Sequence, residues 1–120
     1  MEKYYWLNQN SRKFLERGYL LEGESAEDRC KDIAGHAEKI LGLKGFAEKF
    51  EGYLADGFYS LSSPIWSNFG RERGLPISCF GSFIDDTLEE IAGAKLAEVS
   101  MMTKFGGGTS AYFGALRGRG

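Results

Sequence analysis

The chain has 120 residues, 42% of them hydrophobic and 14% aromatic, enough apolar material for a compact domain that removes roughly two-thirds of its unfolded surface from water. Its 15 basic and 17 acidic side chains leave a net charge of −2, so no overall field draws it to nucleic acid or to an anionic membrane. No apolar stretch approaches the ~20 residues of a bilayer span, and Met1-Glu-Lys-Tyr-Tyr-Trp6 has no basic head before an apolar run, so a cytosolic chain is expected. Two cysteines and one histidine offer little to hold zinc; no metal site is expected, and the cysteines read as thiols or a redox centre.

The first half reads as helices. Asn10-Ser-Arg-Lys-Phe-Leu-Glu-Arg17 followed by Gly18 predicts a short helix with a polar N-cap, a left-handed glycine after it, and Phe14 and Leu15 facing inward. Ser25-Ala-Glu-Asp28 opens a longer one, because the serine oxygen accepts a free N3 amide. Cys30, Ile33, Ala34, Ala37, Ile40 and Leu41 then recur at the spacing of one helical stripe, and Gly42 ends it. A third helix is predicted from Lys44 to about Ala55, with Gly57 after its end.

The second half changes texture. Phe58-Tyr-Ser-Leu-Ser-Ser-Pro-Ile-Trp66 and Leu75-Pro-Ile-Ser-Cys-Phe80 read as two strands, the second mostly buried. Asp86-Thr-Leu-Glu89 repeats the capping pattern and starts a helix whose Leu88, Ile91, Ala92, Val99 and Met102 face inward until Gly106-Gly-Gly108 stops it. Thr109-Ser-Ala-Tyr-Phe-Gly-Ala-Leu116 reads as a last strand, before the basic turn Arg117-Gly-Arg-Gly120. The strand-helix-strand order from 75 to 116 predicts an α/β unit with parallel pairing.

Few positions invite chemistry, and each has a plain alternative. Cys79 follows Ser78 at the end of the second predicted strand, the carboxyl end where ligands collect in α/β sheets; a small buried hydrophobe fits the same position. Cys30 lies on an apolar stripe and reads as packing. The glycine run at 106–108 allows close approach of a ligand to backbone amides, but it ends a helix instead of starting one, so it is not a P-loop. Arg117 and Arg119 suit phosphate or a solvated turn equally. Asp85 and Asp86 serve a helix start more simply than acid/base work, and their best functional use is accepting bonds from a sugar hydroxyl. No His or Asp pattern accompanies Ser60, Ser62, Ser63 and Ser67, so none reads as a nucleophile.

Taken in order, Tyr59-Ser-Leu-Ser-Ser-Pro-Ile-Trp66, Arg73-Gly-Leu-Pro-Ile-Ser-Cys-Phe80, Asp85-Asp-Thr-Leu88 and Lys104-Phe-Gly-Gly-Gly-Thr-Ser110 resemble the large catalytic subunit of class I ribonucleotide reductase, from about Trp6 to the final glycine. The resemblance implies an α/β fold in which a helical N-terminal region (1–57) leads into the first strands and helix of a ten-stranded α/β barrel (58–120), left incomplete. It implies reduction of ribonucleotides by a thiyl-radical mechanism in which two thiols supply electrons and become a disulfide. Cys79 matches one of those thiols. Ser78 would border the ribose, Ser63 would contact substrate phosphate, and Gly106 and Gly107 would let the base lie against the backbone. Asp86 and Leu88 match a segment that holds the ribose and base of a deoxynucleoside triphosphate or ATP effector, and Arg117 matches a phosphate-binding arginine.

By the same resemblance the radical comes from a metal-containing small subunit, thioredoxin or glutaredoxin resets the dithiol, and the complete large subunit is a homodimer. This chain would bind no cofactor of its own. The partner thiol, the thiyl-forming cysteine, the regulatory cone and the electron-shuttling tail have no counterpart in the sequence, so the chain is expected to need the remainder of the large subunit and to reduce no nucleotide alone. Two other readings stay open: a stand-alone nucleotide-binding module built on Asp86, Gly106–Gly108 and Arg117, and a helical interaction protein resting on residues 8–57.

Overall fold

A computed structural model describes residues 3–72 and 74–119; Met1, Glu2, Arg73 and Gly120, each part of a stretch quoted above, lie outside the described residues. The chain divides into two compact units, Met1–Pro76 and Ile77–Gly120.

The first unit is helical. In α1 (Gln9–Glu16) the Asn8 side chain accepts from the amides of Asn10 and Ser11, so the helix starts earlier than the sequence suggests. Gly18 is not left-handed, because Arg17 closes the helix in right-handed geometry. Leu15 is buried, whereas Phe14 is exposed and packs its ring on Tyr19. α2 (Ala26–Leu41) has the predicted Ser25 cap, its hydroxyl accepting from the Asp28 amide, and ends at left-handed Gly42. Its stripe buries Ala26, Cys30, Ile33 and Ala34, but Ile40 and Leu41 are exposed. α3 (Phe46–Ala55) starts where Glu38 of α2 accepts from the Ala47 amide, which ties the two helices at their junction.

Residues 58–66 do not form the predicted strand. Ser63–Asn68 is a helix, α4, because Pro64 sits in its first turn, where a missing N–H costs nothing. The helical unit thus runs on past residue 57: Trp66 is buried with Tyr4, Leu7, Leu15, Cys30, Ile33 and Leu54 in one core. Trp6 meets Trp66 edge to face at 6.2 Å and donates its indole N–H to the Leu54 carbonyl.

The second unit holds a parallel pair of strands, β1 (Cys79–Phe83) and β2 (Gly108–Tyr112), in the register Cys79 to Gly108 through Phe83 to Tyr112. Parallel pairing agrees with the sequence reading, but β1 begins at Cys79 instead of Leu75. Pro76 has no N–H for a ladder and keeps the preceding residues out of the sheet. Between the strands a π-helical turn, Glu90–Ala94, runs directly into α5 (Lys95–Lys104). The Thr87 hydroxyl, not Asp86, accepts from a free amide at this helix start, that of Glu90. None of the α5 residues is buried, and Leu88 and Ala92, expected inside, are exposed. Two strands offer too little surface to cover a helix face. Ile84 is the large side chain buried in this unit among the described residues.

Candidate functional site

Cys79 opens β1, so it lies at the amino end of the parallel pair and not at the carboxyl end that its sequence neighbourhood suggested. Its thiol is free and exposed, and its Sγ lies 3.8 Å from the Ser78 hydroxyl. The Ser78 carbonyl accepts the Gly108 amide at 2.6 Å, so Ser78, Cys79 and the glycine turn between α5 and β2 meet at one corner. Gly106 is exposed and left-handed, with φ +87°, which closes α5. Gly107 is buried: a Cβ there would lie 2.6 Å from the Phe80 ring and 3.0 Å from the Met102 carbonyl oxygen. The missing side chain lets the turn pack under Phe80, the residue that follows Cys79, and so fixes the corner on which the thiol stands.

A second cluster follows β1. Arg117 donates from Nε to Asp86 Oδ2 at 2.9 Å, with the arginine side chain 80% exposed, and Leu88 is 74% exposed two residues on. The structure thus brings together two of the three residues matched to an effector. Elsewhere in the same unit, buried Ser82 donates to Glu98, and Lys95 pairs with Glu98 at 3.1 Å. The Lys95 ammonium, then the Ser82 hydroxyl, hold the Glu98 carboxyl below its ordinary range, and Glu98 in turn raises Lys95. These contacts lock α5 to β1 across the sheet face.

Ser63 belongs to the helical unit. It is the first residue of α4, exposed, and its Oγ accepts from Tyr19 Oη at 3.4 Å. The sequence reading passed over Arg29 and Arg71, which anchor that helix. Arg29 is fully buried and donates to the carbonyls of Ile65, Trp66 and Phe69. The missed signal was its place on the α2 stripe, at helical spacing from Ala26 and Ile33. Cys30 is buried beside it, and burial pushes its thiol up to about 12, which keeps it protonated and inert. Among the described residues no group of three or more His, Cys, Asp or Glu side chains is placed to hold a metal ion.

Against known proteins, the chain superposes on the Actinobacillus ureae class Id ribonucleotide reductase alpha subunit with a TM-score of 0.87 and 63% sequence identity, over 94% of its own length. The chain belongs to the class I ribonucleotide reductase large-subunit family. It is 31% identical over 107 residues to the ribonucleoside-diphosphate reductase large subunit of Invertebrate iridescent virus 6. It is 29% identical over 116 residues to the vitamin B12-dependent ribonucleoside-diphosphate reductase of Mycobacterium tuberculosis. No family model matches the chain. The chain spans 10% of the viral relative, 16% of the mycobacterial one and 22% of the Actinobacillus chain, so it corresponds to a fragment of each. Its mixed helices and small parallel sheet match the corresponding part of the alpha subunit. No helix among the described residues is long and apolar enough to cross a membrane.

Proposed function

We propose that the chain is the N-terminal part of a ribonucleoside-diphosphate reductase large subunit and supplies one thiol of its redox pair. The observation that carries this reading is Cys79: a free, exposed thiol beside a hydroxyl, on a glycine-packed strand corner, in a chain that is 63% identical to an alpha subunit.

A thiyl radical formed elsewhere in the complete subunit takes the 3′ hydrogen of the ribonucleotide, and the protonated 2′ hydroxyl then leaves as water. Cys79 and a partner thiol from the remainder of the chain deliver two electrons, lose their protons and close a disulfide; the 3′ hydrogen returns and regenerates the thiyl. A dithiol suits the step because both electrons come from one site and thiol exchange with thioredoxin or glutaredoxin resets it. In this reading Ser78 borders the ribose, Ser63 binds substrate phosphate, and the backbone at Gly106 and Gly107 meets the base. Asp86, Leu88 and Arg117 hold a deoxynucleoside triphosphate or ATP effector. The radical comes from a metal-containing small subunit, and the complete large subunit works as a homodimer. The open edges of β1 and β2 are where the remaining strands of a ten-stranded barrel join.

The test is reconstitution. Co-expression with the remaining large-subunit segment and addition of the radical-generating subunit and dithiothreitol should give deoxyribonucleotide formation, and Cys79→Ser should abolish it. Reduction that survives Cys79→Ser removes the redox assignment. The chain alone, with the same radical subunit and reductant, should show no turnover; measurable turnover overturns its dependence on the remainder.

A further inference from the structure

α4 has six residues, too few to hold a helix by propensity, and beyond the Phe69 amide on the Ile65 carbonyl and the Arg71 amide on that of Asn68 its last-turn carbonyls need partners from outside the helix. Arg29 supplies them: Nε donates to the Trp66 carbonyl at 2.8 Å, Nη2 to those of Ile65 at 3.0 Å and Phe69 at 2.8 Å, and Nη1 to Asp32. Arg71 adds a second grip, donating to the Ser67 carbonyl at 2.8 Å and the Tyr19 carbonyl at 3.2 Å while pairing with Glu24. At the opposite end of α4 the hydroxyl of the same Tyr19 donates to Ser63 Oγ. Both ends of the helix therefore belong to one network. A buried charge stabilises no better than apolar packing of equal volume, whereas a planar guanidinium fixes direction, which a lysine ammonium cannot do for three carbonyls at once.

We propose that Arg29, assisted by Arg71, is a positioning residue for nucleotide phosphate, acting through α4 to aim the Ser63 hydroxyl. The proposal rests on the reading of Ser63 as a phosphate contact. The experiment is calorimetric titration of the full 120-residue chain with CDP and with cytidine, for the unmodified protein, Ser63→Ala, Arg29→Lys, Arg71→Lys and each arginine variant combined with Ser63→Ala, with helix content followed by circular dichroism. Ser63→Ala should weaken CDP about tenfold, the loss expected for one hydrogen bond to a charged group. Arg29→Lys and Arg71→Lys should each weaken CDP about threefold or more, leave cytidine unchanged, and add nothing once Ser63 is alanine.

If Arg29→Lys loses helix content, Arg71→Lys, on a side chain that is mostly but not fully buried, carries the measurement. Equal losses for CDP and cytidine, or losses that add to that of Ser63→Ala, overturn positioning and leave a structural clamp. A weakened Ser63→Ala beside unchanged arginine variants overturns positioning alone. No CDP binding, or none lost in Ser63→Ala, removes the Ser63 reading and this proposal with it.

Discussion

The two cysteines end in opposite environments. Cys79 stands exposed at the start of a strand, whereas Cys30 is sealed between α2 and the side chains of the helical core, its thiol raised from 9.0 to about 12 by burial. At pH 8 iodoacetamide should modify Cys79 within minutes and leave Cys30 untouched until the chain unfolds, which peptide mass spectrometry reads directly; modification of Cys30 in the native chain would contradict the buried assignment. Alkaline pH tests the same residue by linkage. Folded Cys30 keeps a proton that the unfolded chain releases above its ordinary pKa, so its contribution to stability is complete below pH 9.0 and is lost as pH rises toward about 12. Tyr4, pushed up by burial and then by its bond to Glu51, adds a loss of the same sign at still higher pH. Urea unfolding midpoints should therefore fall steadily over that window, and Cys30→Ala should flatten the first part of the fall.

Single glycines separate packing from propensity within elements. Gly107→Ala places a Cβ 2.6 Å from the Phe80 ring and 3.0 Å from the Met102 carbonyl oxygen, overpacking that should cost about 1–3 kcal/mol. Gly35→Ala, exposed inside α2 with nothing within 4 Å, should instead stabilise by about 0.5–1 kcal/mol. Thermal melts of the two variants should move in opposite directions; a neutral Gly107→Ala would mean that the glycine corner is not held by Phe80. The elements legible in the sequence are those whose signals are local. Ser25 at the start of α2, Gly42 at its end and the strand-helix-strand order are all present as predicted, because caps and periodicity act within a few residues. α4 was not legible as a helix: its aromatic and hydroxyl-rich run has strand propensity, and the guanidinium of Arg29, distant in sequence, supplies the carbonyl partners that decide for helix. The start of β1 was misplaced for a similar reason, since Pro76 excludes the apolar residues around it from the ladder. Nor does spacing alone show that Asp86 and Arg117 meet, although each drew notice separately.

At the scale of the molecule the two units differ in how far each satisfies itself. The helical unit buries Tyr4, Leu7, Leu15, Cys30, Ile33, Leu54 and Trp66 in one cluster. The Ile77–Gly120 unit leaves Phe83, Leu88, Leu96, Phe105, Tyr112 and Phe113 all more than half exposed, and among the described residues its sheet has two strands, each with an unpaired edge. Parallel sheets are stable when both faces are covered, and a two-stranded one is marginal in water. Local opening of that unit should therefore require little free energy, while the helical unit opens only by global unfolding. Hydrogen-deuterium exchange of the chain alone should show the amides of Cys30, Ile33 and Leu54 among the slowest, and the Gly108 and Ile84 amides, although bonded to the Ser78 and Tyr112 carbonyls, exchanging orders of magnitude faster. Addition of the remaining large-subunit segment should slow Gly108 and Ile84 and leave the helical core unchanged, because in the proposed reading the remaining strands pair with the open edges of this sheet. Full protection of Gly108 and Ile84 in the chain by itself would show that the parallel pair is self-sufficient, and the exposed aromatics would then call for a different occupant than the rest of a barrel.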